Sequence, residues 1–179
     1  PKTLHQTCAN PSYLANLRRV RHLAIIGAPL QPCLAPQITQ HTQITYIYAS
    51  SESDTLPIEV LPDPADWAYL RLSPDVPHEY RPACGPYHEL VLLRCPNAPT
   101  QPVFAMFRDR DEYPMGDLFA AHPSRPHCWH YCGRRADLIG SGPHRFLLHD
   151  MEWVLEAHPA IQWALICEKR RGGLALLLD

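Results

Sequence analysis

Helical and extended hydrophobic patterns alternate over the first third of the chain. Apolar residues recur at helical spacing over residues 12–22, with Ser12 as a candidate N-cap. An apolar run at 23–26 predicts a buried strand that ends in a turn at 27–30. A second helix is predicted over 33–41, and the β-branched and aromatic run 43–48 predicts a strand that leads into a polar loop. This order is typical of an α/β layer, whose ligand site commonly lies at the carboxyl ends of the strands.

From residue 57 the pattern changes to short apolar runs separated by prolines. These extended runs occupy residues 58–61, 69–72, 79–81, 89–94 and 103–107, and one more strand is predicted at 129–132. Proline supplies 20 of the 179 residues, about twice its usual share of roughly 5%. Because proline has no backbone N–H to donate, it interrupts strands and favours sheet edges. The segment 57–120 is therefore predicted to be β-rich, in the form of a small distorted barrel.

The C-terminal part returns to mixed patterns. Residues 137–142 predict a strand that enters a turn, and residues 149–158 predict a helix that Pro159 limits. Two further strands are predicted at 161–167 and 174–179, around the basic turn 168–173. The predicted fold class is therefore mixed α/β.

Composition narrows the possible classes of protein. A chain that is 46% hydrophobic and 19% charged is typical of a globular domain and unlike a disordered or collagen-like chain. A net charge of -2 without a long run of one sign gives no electrostatic reason to expect nucleic acid or an anionic membrane as a partner. The seven scattered cysteines favour reduced thiols in the cytoplasm over a disulfide scaffold.

Two polar loops carry candidate chemistry. Ser50, Ser51 and Glu52 follow a predicted strand and offer two hydroxyls and a carboxylate to Mg²⁺ and phosphate oxygens. The alternative is a turn that a serine side chain stabilises. Gly116 and Asp117 also follow an extended run, where a carboxylate can bind a sugar diol through two hydrogen bonds. An ordinary turn explains this pair equally well.

Basic residues and thiols form two further clusters. Arg134 and Arg135 offer guanidinium groups to phosphate, ribose or carboxylate, with a structural salt bridge as the alternative. Thiols and imidazoles at residues 122–132 suggest a zinc module, but the usual paired spacings of zinc ligands are absent. Packing and surface positions are the alternative for these side chains, which are His122, His127, Cys128, His130 and Cys132.

Short sequence pieces, taken in order along most of the chain, resemble one known family. They occupy residues 27–30, 48–52, 66–70, 79–82, 87–91, 101–104, 112–119 and 129–134. Together they resemble the adenylate-forming superfamily, and more closely the adenylation domains of fungal non-ribosomal-peptide-synthetase-like enzymes. In that family a carboxylic acid reacts with ATP and Mg²⁺ to give an acyl adenylate, and a carrier-protein phosphopantetheine thiol then takes the acyl group.

The resemblance implies roles for individual residues. It implies that Glu52 supports Mg²⁺ and catalysis, that Ser51 lies beside the phosphates, and that Asp117 binds the ribose. It places Arg134, a further catalytic and nucleotide-binding residue, at the junction of a large and a small subdomain. On the acyl and adenine side of the crevice it implies contacts from the turn and strand residues Gly27, Ala28 and Tyr48.

The resemblance also implies a domain organisation. Residues 1–133 correspond to the C-terminal part of the large subdomain and residues 134–179 to the start of the small one, with a mobile junction near 133–137. The family's phosphate loop and catalytic lysine match no part of this sequence, so the isolated chain is expected not to adenylate efficiently. The complete protein is expected to activate an acid in fungal secondary metabolism and to load it onto a carrier in the same polypeptide.

Departures from the family pattern keep an alternative open. Ala49 replaces the usual Gly, Met115 replaces the usual Thr, and Ala136 stands where the family has its hinge Asp. The alternative is a degenerate module with a binding or assembly role and no ATP chemistry.

Overall fold

The N-terminal segment forms the predicted α/β layer. The computed structural model describes residues 2–27, 30–97, 101–141, 144–168 and 173–179. Helices α1 (Lys2–Ala9), α2 (Pro11–Leu17) and α3 (Ala35–Thr39) accompany strands β1 (His22–Ile26) and β2 (Gln43–Ile47). The two strands are parallel and in register from His22 opposite Gln43 to Ile26 opposite Ile47. A core of Cys8, Ile25, Leu30, Leu34, Ala35, Ile38 and Ile44 holds this layer together.

The helix predicted over residues 12–22 begins earlier and ends sooner than the pattern indicated. Its N-cap is Asn10, whose side chain accepts hydrogen bonds from the backbone N–H groups of Ser12 and Tyr13 at 3.0 and 3.3 Å. Pro11 opens the helix, where its fixed φ and its missing N–H are tolerated. Ser12 therefore lies inside the helix, and its prediction as the cap was wrong.

A six-stranded antiparallel sheet follows and curls into a half-barrel. Its strands are β5 (Ile58–Glu59), β6 (Tyr69–Leu72), β7 (His78–Cys84), β8 (Tyr87–Leu93), β9 (Glu112–Ala121) and β10 (Trp129–Arg134). They run in the order β5-β6-β10-β9-β8-β7. A small hairpin of β3 (Ala49–Ser50) and β4 (Asp54–Thr55) joins β2 to this sheet. The β-rich prediction for this segment is confirmed.

One predicted extended run in this segment is a helix. Residues 103–107 belong largely to α4 (Pro102–Met106), which begins with a proline and buries Val103 and Phe104 against the sheet. The preceding Gln101 side chain bonds the backbone of Leu93 and Cys95 at 2.7 and 2.8 Å. Gln101 thus ties the start of this helix to the backbone at the end of β8.

The C-terminal part has the predicted elements with shifted bounds. A 3-10 turn at Arg135–Asp137 leads into the hairpin β11 (Leu138–Ser141) and β12 (His144–Leu147), then α5 (Leu148–Glu156). Strands β13 (Ala164–Glu168) and β14 (Leu174–Leu178) pair antiparallel. The predicted basic turn lies largely outside the described residues. In the described part of the chain, no helix has the length and apolar character needed to cross a membrane.

Two clusters of buried side chains organise the second half of the molecule. The larger fills the concave face of the half-barrel and centres on Leu90 and Phe119, both fully buried. The smaller joins Leu118 and Cys132 of the sheet to Leu147 of the C-terminal hairpin. The C-terminal part is therefore packed against the sheet through one small apolar contact.

Candidate functional site

A cleft opens where the α/β layer meets the half-barrel. Its lining comes from the ends of β1 and β2 and from strands β6, β9 and β10. Strand β1 ends at Ile26, and the next residue, Gly27, has a φ of +94°, a conformation that an L side chain rarely adopts. The polar groups of the lining include Tyr46, Tyr48, Asp117, Tyr131 and Arg134.

Asp117 is the buried acid of this cleft. Its side chain lies on β9 directly opposite Arg134 of β10, and the residue is only 7% exposed. The Tyr48 hydroxyl donates to Asp117 Oδ2, and the Tyr131 hydroxyl lies 3.5 Å from Oδ1. Arg134 Nε lies 3.8 Å from the same Oδ1, while 70% of the Arg134 side chain is exposed. The cleft therefore combines a buried acceptor with two phenols and a cation at its mouth.

Burial governs the protonation of these groups. Loss of solvation raises the pKa of Asp117, and the hydrogen bond from Tyr48 and the charge of Arg134 oppose that increase only in part. Burial also raises the pKa of Tyr131 to about 12, with the Asp117 charge adding to the effect. The pKa of Tyr48 rises further for the same two reasons, burial first. Both phenols thus remain donors at neutral pH, so the group that changes charge most readily is Asp117.

The polar turn between β3 and β4 lies beside the cleft. Glu52 is half-buried, and its charge contributes to the raised pKa of Asp117. Ser51 is exposed, whereas the hydroxyls of Ser50 and Ser53 lie 3.0 Å apart and stabilise the turn. The turn-stabilising alternative therefore describes Ser50, and Glu52 and Ser51 remain available for a ligand. Among the described residues, no group of three or more His, Cys, Asp or Glu side chains is arranged to hold a metal ion.

The two neighbouring arginines divide between the alternatives that the sequence left open. Arg135 forms an ion pair with Glu89 of β8, as expected for a structural salt bridge. Arg134 has its charge partner inside the cleft, at Asp117. Of the pair, Arg134 is the one placed to meet a ligand.

The thiols and imidazoles of residues 122–132 have separate partners. Cys128 Sγ lies 3.2 Å from Arg71 Nη2, and Cys132 packs in the smaller core cluster. His130 donates from Nδ1 to the Ala68 carbonyl at 2.9 Å. His122 Nδ1 accepts the N–H groups of Ser124 and Arg125. The described structure therefore gives no support to a zinc module.

Of the residues predicted to form the site, Gly27, Tyr48, Asp117 and Arg134 meet in the cleft. Ala28 lies outside the described residues. The roles predicted for all of these residues stay predictions. One polar contact was missed: Tyr131 faces Asp117 although no role was predicted for it. The available signal was strand alternation, since Tyr131 shares its face of β10 with the core residue Trp129.

Comparisons with known proteins agree on one type of domain. No protein-family model matches the chain. The chain is 26% identical over 183 residues to an adenylate-forming reductase, Nps10, of Heterobasidion annosum. It is 21% identical over 180 residues to an isocyanide synthase-NRPS hybrid, crmA, of Aspergillus fumigatus. Both matches cover 100% of this chain, which spans 17% and 11% of the two relatives.

Solved structures share the fold. The amide bond synthetase McbA from Marinactinospora thermotolerans matches with a TM-score of 0.66 and 17% identity, over 98% of this chain and 40% of that one. O-succinylbenzoate coenzyme A synthetase (MenE) from Bacillus subtilis, solved with ATP and a magnesium ion, matches with a TM-score of 0.65 and 16% identity. That match covers 94% of this chain and 40% of the synthetase. The chain is thus a partial adenylate-forming domain, distantly homologous to the two fungal enzymes.

Proposed function

We propose that this partial domain forms the rear wall of the crevice in which a complete adenylation domain binds ATP and a carboxylic acid. The complete protein would convert the acid to an acyl adenylate and load it onto a carrier-protein phosphopantetheine thiol of the same polypeptide. The fungal relatives, an adenylate-forming reductase and an NRPS hybrid, support this setting in fungal secondary metabolism. The same proposal assigns residues 1–133 to the large subdomain and residues 134–179 to the start of the small one, in a cytoplasmic protein.

The observation that carries the proposal is the buried carboxylate of Asp117 in the cleft. A carboxylate accepts a strong hydrogen bond from a ribose hydroxyl, and exclusion of water strengthens that hydrogen bond. The guanidinium Nε of Arg134 lies 3.8 Å from Oδ1 of Asp117. A buried carboxylate with a cation at the mouth suits a nucleotide whose ribose lies inside the cleft and whose phosphate lies near the mouth.

ATP and Mg²⁺ fit these residues to different degrees. The ribose and α-phosphate would meet Asp117 and Arg134, and Tyr48 and Gly27 would line the base side of the cleft. Mg²⁺ would have Glu52 as its carboxylate, and it commonly takes one or two carboxylates together with substrate phosphates and waters. A bound magnesium ion would neutralise phosphate charge. The chain's own residues hold the ribose, orient the phosphate and exclude water from the Asp117 side.

The described lining of the cleft offers few positively charged side chains to stabilise the formation of an acyl adenylate. Arg134 is the only lysine or arginine among the described residues that line it. Attack of a carboxylate on the α-phosphate concentrates negative charge, and stabilising that charge is usually the largest catalytic effect. We therefore expect the 179-residue chain to bind AMP weakly and to release no pyrophosphate.

Calorimetry with AMP tests the proposal directly. A hydrogen bond to a charged group contributes about 1.5–3 kcal/mol, so Asp117→Ala should weaken AMP binding by roughly tenfold or more. Asp109→Ala is the matched control, because Asp109 is exposed in the turn before β9. A pyrophosphate-release assay with a panel of carboxylic acids accompanies the calorimetry. Equal AMP affinity of the Asp117→Ala and unmodified chains would remove Asp117 from the site, and acid-dependent pyrophosphate release would refute the expected inactivity.

The degenerate-module alternative has one supporting observation. Ala136, at the position of the family's hinge Asp, is exposed in the 3-10 turn Arg135–Asp137 and offers no carboxylate there. If the unmodified chain binds neither AMP nor adenosine, a binding or assembly role without nucleotide chemistry becomes the better account.

A further inference from the structure

The two oxygens of the Asp117 carboxylate have different surroundings. Oδ2 accepts the hydrogen bond of the Tyr48 phenol, and both residues are more than nine-tenths buried. Oδ1 faces the Tyr131 hydroxyl at 3.5 Å and Arg134 Nε at 3.8 Å. Both separations exceed the roughly 2.5–2.9 Å of charge-assisted hydrogen bonds. Oδ1 is therefore the oxygen that retains capacity for a strong hydrogen bond from a ligand.

We propose that Tyr48 is a positioning residue: its hydroxyl holds Oδ2 of Asp117 and leaves Oδ1 to accept a single ribose hydroxyl. This inference rests on the proposed nucleotide site. It differs from recognition of a diol by both carboxylate oxygens, because one of them already has a buried partner. The second ribose hydroxyl would then meet the donors on β10, Tyr131 and Arg134.

The need for such a residue follows from burial. An ionised carboxylate loses solvation in the interior, which favours its protonated form. Tyr48 is the foremost of the contacts that lower the pKa of Asp117, ahead of Arg134 and Tyr131 on β10. Glu52, from the β3–β4 turn, acts in the opposite direction. A protonated Asp117 would lose its charge and with it the strong hydrogen bond to a ribose hydroxyl.

Tyr46, on β2 and two residues before Tyr48, provides a matched comparison. It also lines the cleft, but its hydroxyl accepts the backbone N–H of Leu30 at 2.9 Å. Tyr46→Phe and Tyr48→Phe therefore each remove one cleft hydroxyl and one hydrogen bond. Of the two hydroxyls, the structure pairs that of Tyr48 with Asp117.

Carboxyl ¹³C NMR of the unliganded 179-residue chain gives the decisive measurement. The Asp117 signal is assigned by its loss in Asp117→Asn, and its titration midpoint is compared among the unmodified chain, Tyr48→Phe and Tyr46→Phe. Loss of one hydrogen bond to the charged form should raise the midpoint in Tyr48→Phe by about one to two pH units. Equal midpoints in the unmodified chain and in Tyr48→Phe would overturn the proposal.

AMP affinity measured against pH extends the test to function. Binding requires ionised Asp117, so AMP affinity should fall as the pH is lowered through the pKa of Asp117. In Tyr48→Phe this loss should begin at a higher pH than in the unmodified chain. In Tyr46→Phe it should occur at the same pH as in the unmodified chain. If the unmodified chain binds no AMP at any pH, the proposed function fails while the carboxyl titration still decides the role of Tyr48. If Tyr48→Phe does not fold, the unmodified chain decides: a protected Tyr48 hydroxyl proton that persists until Asp117 is protonated supports the inference, and its absence at neutral pH overturns it.

Discussion

Apolar side chains are buried to different extents in the half-barrel and in the C-terminal β13–β14 pair. In the half-barrel, Phe119 and Leu90 are completely buried, because the sheet curls over them and α4 packs Val103 and Phe104 into the same core. In β14, by contrast, Leu176, Leu177 and Leu178 are about half exposed, at 49%, 54% and 50%. Strand β14 is apolar on both faces, and α5 packs against β13 from one side.

The difference shows where the rigidity of the site originates. Asp117 and Arg134 lie on two central strands of the sheet, β9 and β10, which pair antiparallel on both sides of a bulge at Tyr131–Gly133 and are backed by the larger core. Sites on regular elements hold their geometry better than sites on loops. The C-terminal part meets the sheet through the small cluster of Leu118, Cys132 and Leu147. We therefore expect mutations in the half-barrel to unfold the molecule and mutations at the junction to loosen only its C-terminal part.

Of the variants that test this difference, Phe119→Ala is expected to have the largest effect, a loss of global stability. The Phe119 ring makes edge contacts with Tyr48, Tyr80 and Tyr131, so its removal leaves a cavity behind the cleft. Truncation of a buried phenylalanine typically lowers the free energy of unfolding by about 3–5 kcal/mol. Urea unfolding followed by circular dichroism measures this loss.

Leu177→Ala is the control for that loss, because Leu177 lies on the exposed β14 strand. A half-exposed side chain loses much less on truncation, so we expect less than about 1 kcal/mol. Similar losses for the two variants would show that the two regions do not differ as described.

Gly133→Ala is expected to have an intermediate and local effect. Gly133, the residue before the last of β10, has a φ of +131°, and an added Cβ would lie 2.7 Å from His149 Cε1 of α5. Strain at such a φ costs of the order of 1–3 kcal/mol, and the clash displaces the His149 ring and loosens the packing of α5 on the sheet. Hydrogen exchange should show faster exchange in α5 and β12, with strands β8 and β9 unchanged.

Gly85→Ala serves as the matched control for Gly133→Ala. Gly85 also has a positive φ, +55°, but nothing lies within 4 Å of its would-be Cβ. Its strain should stay in the β7–β8 turn, with α5 exchange unaltered. Equal exchange in α5 for the unmodified and Gly133→Ala chains would contradict a tight junction.

Local patterns predicted most elements because alternation and helical spacing are properties of neighbouring residues. Strands β1, β2, β10, β13 and β14 and helix α5 were predicted in this way, with bounds shifted by a few residues. Residues 103–107 were assigned to the wrong class, since a short apolar run fits a strand and a helix equally well. Strand β9 was missed as a continuous element, because Pro114 and Gly116 signal a turn and only pairing with β8 and β10 overrides them.

The candidate site was predictable in its parts but not in its connections. Asp117 and Arg134 were candidates from their local sequence, the family resemblance gave them specific roles, and both lie in the cleft. The contact between Tyr48 and Asp117 joins residues 69 positions apart, and no local pattern encodes such a pairing. Likewise, Arg134 pairs with Asp117 on β9 and Arg135 pairs with Glu89 on β8, and these distant pairings exist only in the folded sheet.

The smallest expected effect is that of Glu89→Gln, which removes the ion pair between the sheet and Arg135 at the junction. Residues 134–136 are exposed, and we expect limited proteolysis with trypsin to cut at this junction earlier than within the half-barrel. An ion pair with a solvent-exposed partner, here Arg135 at 59% exposure, stabilises by about 1 kcal/mol or less, so global unfolding should barely change. Cutting after Arg134 and Arg135 should nevertheless become faster, by up to about fivefold, because local opening there needs less free energy.

Glu59→Gln is the control, since Glu59 pairs with Arg71 within the sheet and is remote in sequence from the junction. If the junction is cut no sooner than the half-barrel in the unmodified chain, the two regions behave as one unit and the division near residues 133–137 is wrong.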